Sequence, residues 1–112
     1  METIRQKKVA RLLQKELSTI FHKHTTILLG NVIVTITIVR VSADLANANV
    51  FVSIFPTDDS KQSLKIIKNN SNLFRRHLGY RIKNQLRIVP FIEYFLDDSA
   101  AYTEEIDQLL KK

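Results

Sequence analysis

Two β-branched segments joined by a short polar turn leave this chain few ways to fold. Asn31–Val41 sets Val32, Val34, Ile36 and Ile38 on one side and Thr35 and Thr37 on the other. A period of two in such residues is the pattern of a strand with one buried face. Ser42–Asn47, with Asp44 and Asn47, reads as a polar turn. Asn49–Phe55 then resumes the alternation through Val50, Val52 and Ile54. So short a connection favours an antiparallel pair, and Pro56 ends the second strand.

Helical spacing governs the segments on either side. Val9, Leu12, Leu13, Leu17, Ile20 and Phe21 recur on one face, so about residues 3–23 form an amphipathic helix ending before Thr25-Thr26. Lys7, Lys8, Arg11 and Lys15 fall on its opposite side as a basic stripe. After Pro56, any of Asp58, Asp59 or Ser60 can cap a second helix with Leu64 and Ile67 turned inward. Asn69-Asn70-Ser71-Asn72 is poor helix material, because short amides and hydroxyls compete for the backbone. A third helix spans about Leu73–Asn84, with Phe74, Leu78 and Ile82 at i, i+4, i+8. The two helices therefore meet at a sharp joint, where Asn is suited to left-handed backbone angles.

Leu86–Leu96 is a third strand region interrupted by Pro90, which marks a strand start or a bulge. Ile92, Tyr94 and Leu96 alternate there with Phe91, Glu93 and Phe95. Asp97-Asp98-Ser99 can cap a short terminal helix whose apolar edge is Ile106, Leu109 and Leu110. The reading is an α+β fold, α-β-β-α-α-β with a short C-terminal helical tail. At 112 residues it is expected to be one domain, 1–112, with about 97–112 as an acidic tail.

Charge is distributed far from evenly. The net charge is +6, but Lys61–Arg87 carries Lys61, Lys65, Lys68, Arg75, Arg76, Arg81, Lys83 and Arg87 with no Asp or Glu. Residues 88–112 carry two basic groups against six acidic ones. Solvated surfaces usually mix signs, so an unbalanced basic segment needs a polyanion, the acidic tail or plain solvation. Nucleic acid leads these alternatives. Arg75 and Arg76 follow the joint directly, and helix N-termini with nearby arginines suit phosphate. Lys61, Lys65 and Lys68 align on one helix face as an electrostatic funnel.

Other chemistry is sparse. With no Cys, disulfide scaffolds, thiolate catalysis and Cys-based zinc sites are excluded, as suits a reducing compartment. The first residues lack the apolar core of a signal peptide. Val32–Val41 is about half the length of a membrane helix. We expect a soluble, cytoplasmic, monomeric protein with no membrane association. His22 and His24 alternate without a third ligand in reach, so no metal site is expected. No Ser–His–Asp set, P-loop or Gly-x-Gly-x-x-Gly occurs, and neither an enzyme nor a cofactor or small-molecule substrate is expected. Tyr80, Tyr94 and Tyr102 are too scattered for a base-stacking platform.

Three stretches resemble a known family. Val9-Ala10-Arg11-Leu12-Leu13-Gln14-Lys15-Glu16-Leu17, Val41–Ser53 with its Val-Ser and Asp-Leu pairs, and Phe74–Gly79 through Arg87-Ile88-Val89-Pro90 to Phe95-Leu96-Asp97-Asp98-Ser99 are similar to the ribosome-binding factor A family. That resemblance implies a type II KH-like domain that binds the small (30S) ribosomal subunit and its 16S rRNA. It further implies a role in late rRNA maturation and in cold adaptation. Ordinary KH domains clamp nucleic acid with a Gly-x-x-Gly loop, whereas the family has an Ala-x-Gly kink. The only glycines here are Gly30 and Gly79, and Asn70-Ser71-Asn72 stands at the kink. The RNA-contact set expected is Arg5, Lys8, Arg11, Lys65, Lys68, Asn70, Ser71, Asn72, Arg75, Arg76, Arg81, Lys83 and Arg87. The competing reading is a protein–protein adaptor whose basic face meets an acidic partner.

Overall fold

The computed structural model describes residues 2–55 and 59–97. Its elements are α1 (Ile4–Leu29), β1 (Ile33–Val41), β2 (Asn47–Phe55), α2 (Ser60–Asn69), α3 (Ser71–Ile82) and β3 (Phe91–Leu96). This is the α-β-β-α-α-β order of a type II KH-like fold. The expected terminal helix, and Pro56 as a strand terminator, lie outside the described residues.

A reciprocal cap starts α1. The Thr3 hydroxyl accepts from the Gln6 N–H at 3.1 Å, and Gln6 Oε1 accepts from the Thr3 N–H at 2.7 Å, which satisfies two otherwise orphan donors. Gln6 Nε2 also donates to the Val41 carbonyl at 2.8 Å, so one amide both caps the helix and ties it to the end of β1. The helix does not stop before Thr25-Thr26 but continues to Leu29. Tertiary packing overrides the weak helix propensity of threonine, which amounts to a few tenths of a kcal/mol per residue. Thr25 is buried and donates its hydroxyl to the Phe21 carbonyl at 2.6 Å, while Leu28 and Leu29 pack on the core. The stop is Gly30, at φ 82° and ψ −143°, a region all but closed to residues with a side chain.

The sheet has the order β1-β2-β3. β1 and β2 pair antiparallel, as the short turn requires, whereas β3 runs parallel to β2, with α2 and α3 forming the crossover. In the turn, Asp44 Oδ1 accepts from the Ser42 hydroxyl at 2.7 Å and the Ala46 N–H at 3.1 Å. Leu45 sits at φ 61° between them. β1 departs from simple alternation, because Ile36 pairs with Val52 and Ile38 with Phe51, leaving Thr37 as a bulge. One extra residue reverses the side of everything after it. Ile38, expected in the core, is 38% exposed, and Val39 and Val41 are buried in its stead. The third strand begins only at Phe91, after the buried Pro90.

α2 and α3 are separate helices that meet at Asn70. That residue has φ −106° and ψ 15°, so the joint is not left-handed. The Asn70 N–H reaches the carbonyls of Ile66 (3.2 Å) and Ile67 (3.1 Å), and its Nδ2 donates to Ile66 O at 2.8 Å. The side chain thus closes the helix end in place of the glycine cap that a left-handed turn would use. Helices cover one side of the sheet. Leu13, Leu17, Phe21, Val50, Val52, Ile67, Phe74, Leu78 and Ile82 are all fully buried in the core between them. Phe21, Phe74 and Tyr94 gather there with ring centroids 4.8–6.4 Å apart, a spacing that favours tilted and edge-to-face contacts.

Candidate nucleic-acid interface

Folding sorts the charges by layer. Every described Lys and Arg is exposed, and all except Arg40 lie on α1, α2, α3 or the connection that follows α3. Arg40 is on β1, 3.9 Å from the Glu2 carboxylate. Lys61, Lys65 and Lys68 project from α2, and Arg75, Arg76 and Arg81 from α3. The acid-free stretch is therefore a pair of basic helices. Arg5, Lys8 and Arg11 extend the same polarity along α1. Cations held on rigid helices present fixed charge to a polyanion, which suits recognition of phosphate and of shape.

The arginines after the joint are not equivalent. Arg75 Nη2 donates to the Val89 carbonyl at 2.9 Å, bracing the approach to β3. Arg81 Nε meets Glu16 of α1 at 2.5 Å. Arg76 is exposed and has no protein partner among the described residues. At the joint, Asn72 is exposed, Ser71 is half-buried, and the Asn70 amide is committed to Ile66. α3 begins without a side-chain cap, so its first N–H groups keep their anion-attracting character.

Two surface grooves bring expected residues together across the sequence. Arg5 and Arg87 flank the β1–β2 turn in a groove that also contains Asp44 and Leu45. Lys68 and Ser71 line another, against Ile92, Glu93 and Tyr94 of β3. The Ser42 hydroxyl and then the Ala46 N–H, both bonded to its carboxylate, hold the Asp44 pKa below its ordinary 3.8. Burial pushes the Tyr94 hydroxyl pKa well above its ordinary 10.0. Lys83 stands exposed after α3, apart from both grooves.

His22 and His24 diverge. His22 is exposed, while His24 stacks on His77 of α3 with ring centroids 4.6 Å apart. Among the described residues no three metal-ligating side chains converge. No described helix is long and apolar enough to cross a membrane. Sequence reasoning missed the sheet face turned away from the helices. There Phe51 and Phe95 stack at 5.3 Å, and Phe55 and Phe91 are 69% and 58% exposed. The alternation of phenylalanines with core residues was the available signal, because each lies opposite in parity to a buried neighbour.

Comparison with known proteins gives this geometry a family. Residues 5–110 match the family model described as Ribosome-binding factor A. The ribosome-binding factor A of Cytophaga hutchinsonii is 45% identical over 112 residues, covering 100% of this chain and 84% of that protein. The crystal structure of ribosome-binding factor A from Thermus thermophilus superposes with a TM-score of 0.62 at 18% identity, covering 81% of this chain and 94% of the other. A Thermus thermophilus ribosome-binding factor A model fitted into a cryo-EM map of a 30S complex also gives 0.62, at 19% identity, with coverages of 80% and 91%. At these identities the structural likeness concerns the fold.

Proposed function

The chain belongs to the ribosome-binding factor A family, and from that premise we propose that it is a non-catalytic assembly factor of the small ribosomal subunit. It binds 16S rRNA through the helical face and assists late maturation of that RNA, with most effect in the cold. The observation that carries the reading is the acid-free stretch. Its described cations all stand exposed on or beside two adjoining helices, in a chain whose relatives are ribosome-binding factors. One relative was fitted into a complex with the 30S subunit. Lys65, Lys68 and Arg76 supply unpaired charge, Arg5 and Arg87 flank the turn, and Lys8 and Arg11 extend the field along α1. Electrostatic attraction and counterion release provide affinity without base-by-base reading.

Salt-titrated sedimentation with purified small subunits tests this. About five to seven phosphate contacts give a log–log salt slope of roughly −5. Charge reversal at Lys65, Lys68 and Arg76 together should abolish binding while the protein stays folded. Binding that ignores salt, or that survives the reversal, would sink the RNA reading and favour the adaptor. Deletion of the gene should give cold-sensitive growth with accumulated precursor rRNA. Normal processing in the deletion strain would remove the maturation role.

A further inference from the structure

Three separate stretches of chain close around one groove near the start of α1. Arg5 comes from α1, Asp44 and Leu45 from the β1–β2 turn, and Leu86, Arg87 and Ile88 from the connection between α3 and β3. Hydrogen bonds tie these walls to one another. Gln6 Nε2 fastens α1 to the Val41 carbonyl beside the turn at 2.8 Å, and the Phe91 N–H fastens the connection to the Ala46 carbonyl at 2.8 Å. The groove therefore exists before any ligand enters it.

Its lining combines three chemistries. Leu45, Leu86 and Ile88 supply apolar surface, and Ile88 is 71% exposed. Leu45 holds φ 61°, uncommon for a bulky residue, and its side chain packs between the core and the groove. Arg5, Arg87 and Asp44 share the groove without neutralising one another, for among the described residues neither arginine has an ion-pair partner. Asp44 Oδ1 accepts from the Ser42 hydroxyl and the Ala46 N–H, whereas its Oδ2 accepts from no other described residue. An ionised carboxylate has about four lone-pair sites, so Oδ2 keeps acceptor capacity to spare.

A ligand for this groove needs a flat apolar body, an edge rich in donors, and negative charge on two sides. An unstacked nucleotide within an RNA strand has all three. An acidic peptide matches less well, because Asp44 repels its carboxylates. The space, about 180 Å³, falls below the roughly 300–1,000 Å³ of drug-sized ligand sites, so it fits one base with the sugar and phosphates outside. Arginines on two separate walls match the phosphates on either side of an internal nucleotide. Guanine alone among the four bases sets two donor groups side by side on its Watson–Crick edge, N1–H and N2–H₂. Uracil presents one donor between two carbonyl oxygens, which a carboxylate repels.

Resting on the reading of this protein as an RNA binder, we propose that the groove holds one unpaired guanine of the RNA. Its N1–H and N2–H₂ donate to Asp44 Oδ2, its ring lies on Leu45 and Ile88, and its flanking phosphates meet Arg5 and Arg87. The helical face supplies affinity through charge, and this groove adds selectivity at a single base.

NMR titration of the isotope-labelled full chain with the pentaribonucleotides UUGUU, UUAUU, UUCUU and UUUUU tests the proposal. The expected result is movement of the Leu45, Ala46 and Ile88 amides, with UUGUU bound about tenfold more tightly than UUUUU. Asp44→Asn keeps an acceptor for Ser42 and Ala46 but sets N–H donors against those of guanine, so it should erase the preference. Equal affinity for the four strands would overturn the proposal, as would a preference that survives Asp44→Asn, or shifts confined to α2 and α3. Guanosine monophosphate should bind more weakly than UUGUU, because it brings one phosphate to two cationic walls. Tighter binding of the free nucleotide would overturn the assignment to RNA. Absence of the preference with salt-dependent subunit binding intact defeats this groove and leaves the RNA reading standing, whereas loss of both defeats that reading as well.

Discussion

Arg81 on α3 reaches across to α1, where its Nε donates to the carboxylate of Glu16. The carboxylate is the more enclosed partner, with its side chain 13% exposed against 38% for the arginine. This pair fastens together two helices that both contribute to the basic face. It also gives Arg81 a structural task that Arg76, five residues earlier on the same helix, does not have.

The difference between the two arginines is measurable. Arg76→Glu should weaken binding to small subunits and reduce the log–log salt slope by about 1, the signature of a lost phosphate contact. Arg81→Gln should leave the slope nearly unchanged and lower stability by up to about 1 kcal/mol, since the pair is partly solvated. Equal slopes for the two variants, measured by sedimentation over a salt series, would show that Arg81 also contacts RNA.

Gln6 joins the helix cap to the sheet, so its loss should cost more than an ordinary surface change. Gln6→Ala removes the reciprocal cap with Thr3 and leaves the Val41 carbonyl without that donor. The expected destabilisation is about 1–3 kcal/mol, read from the shift of a denaturant midpoint. Gln6→Glu should also be costly: the carboxylate can still accept from Thr3, but it sets a charge against the Val41 carbonyl oxygen with no donor between them.

Gly30 separates conformational strain from packing. A Cβ built there meets nothing within 4 Å, so Gly30→Ala creates no clash. Its backbone angles alone should cost about 1–3 kcal/mol. Thermal unfolding of this variant beside Gly79→Ala makes the contrast. Gly79 lies inside α3, where alanine is the better helix former, and its added methyl would touch only the Val89 side chain at 3.4 Å. Gly79→Ala should be neutral or stabilising.

Tyr94 makes stability fall in alkali. Burial raises its folded pKa above the ordinary 10.0, so the unfolded chain releases this proton at a lower pH than the folded one. Its contribution is complete below about pH 10 and is lost as the pH climbs above that value. Tyr94→Phe should flatten the alkaline limb of a stability–pH profile, and a limb unchanged by the substitution would assign the loss to other groups.

Much of this architecture was legible because local pattern and packing agreed. Phe74, Leu78 and Ile82 announced α3 by spacing, and the polar turn announced the hairpin. The failures share a cause, which is a tertiary partner that no local pattern contains. α1 outran its weak threonines because Thr25 had a buried place to occupy. Ile38 turned outward because a bulge at Thr37 reset the parity of β1. Asn70 proved to be a joint closed by its own amide rather than a left-handed one. Arg75 and Arg81, indistinguishable from Arg76 in the sequence, found partners in Val89 and Glu16. The parallel pairing of β3 with β2 depends on a crossover whose direction neither strand records.

The Asn70 joint has a consequence for selectivity. A glycine at a helix junction permits many relative orientations of the helices it joins, whereas here the junction is stitched to Ile66 by both backbone and side chain. The directions of the two cationic rows are set before any ligand arrives. Less orientational entropy is then lost on binding, and a polyanion whose phosphates do not match the preset angle gains little from them. The stitch makes the pair of helices a gauge of backbone shape, and loosening it with Asn70→Gly would trade that discrimination for adaptability.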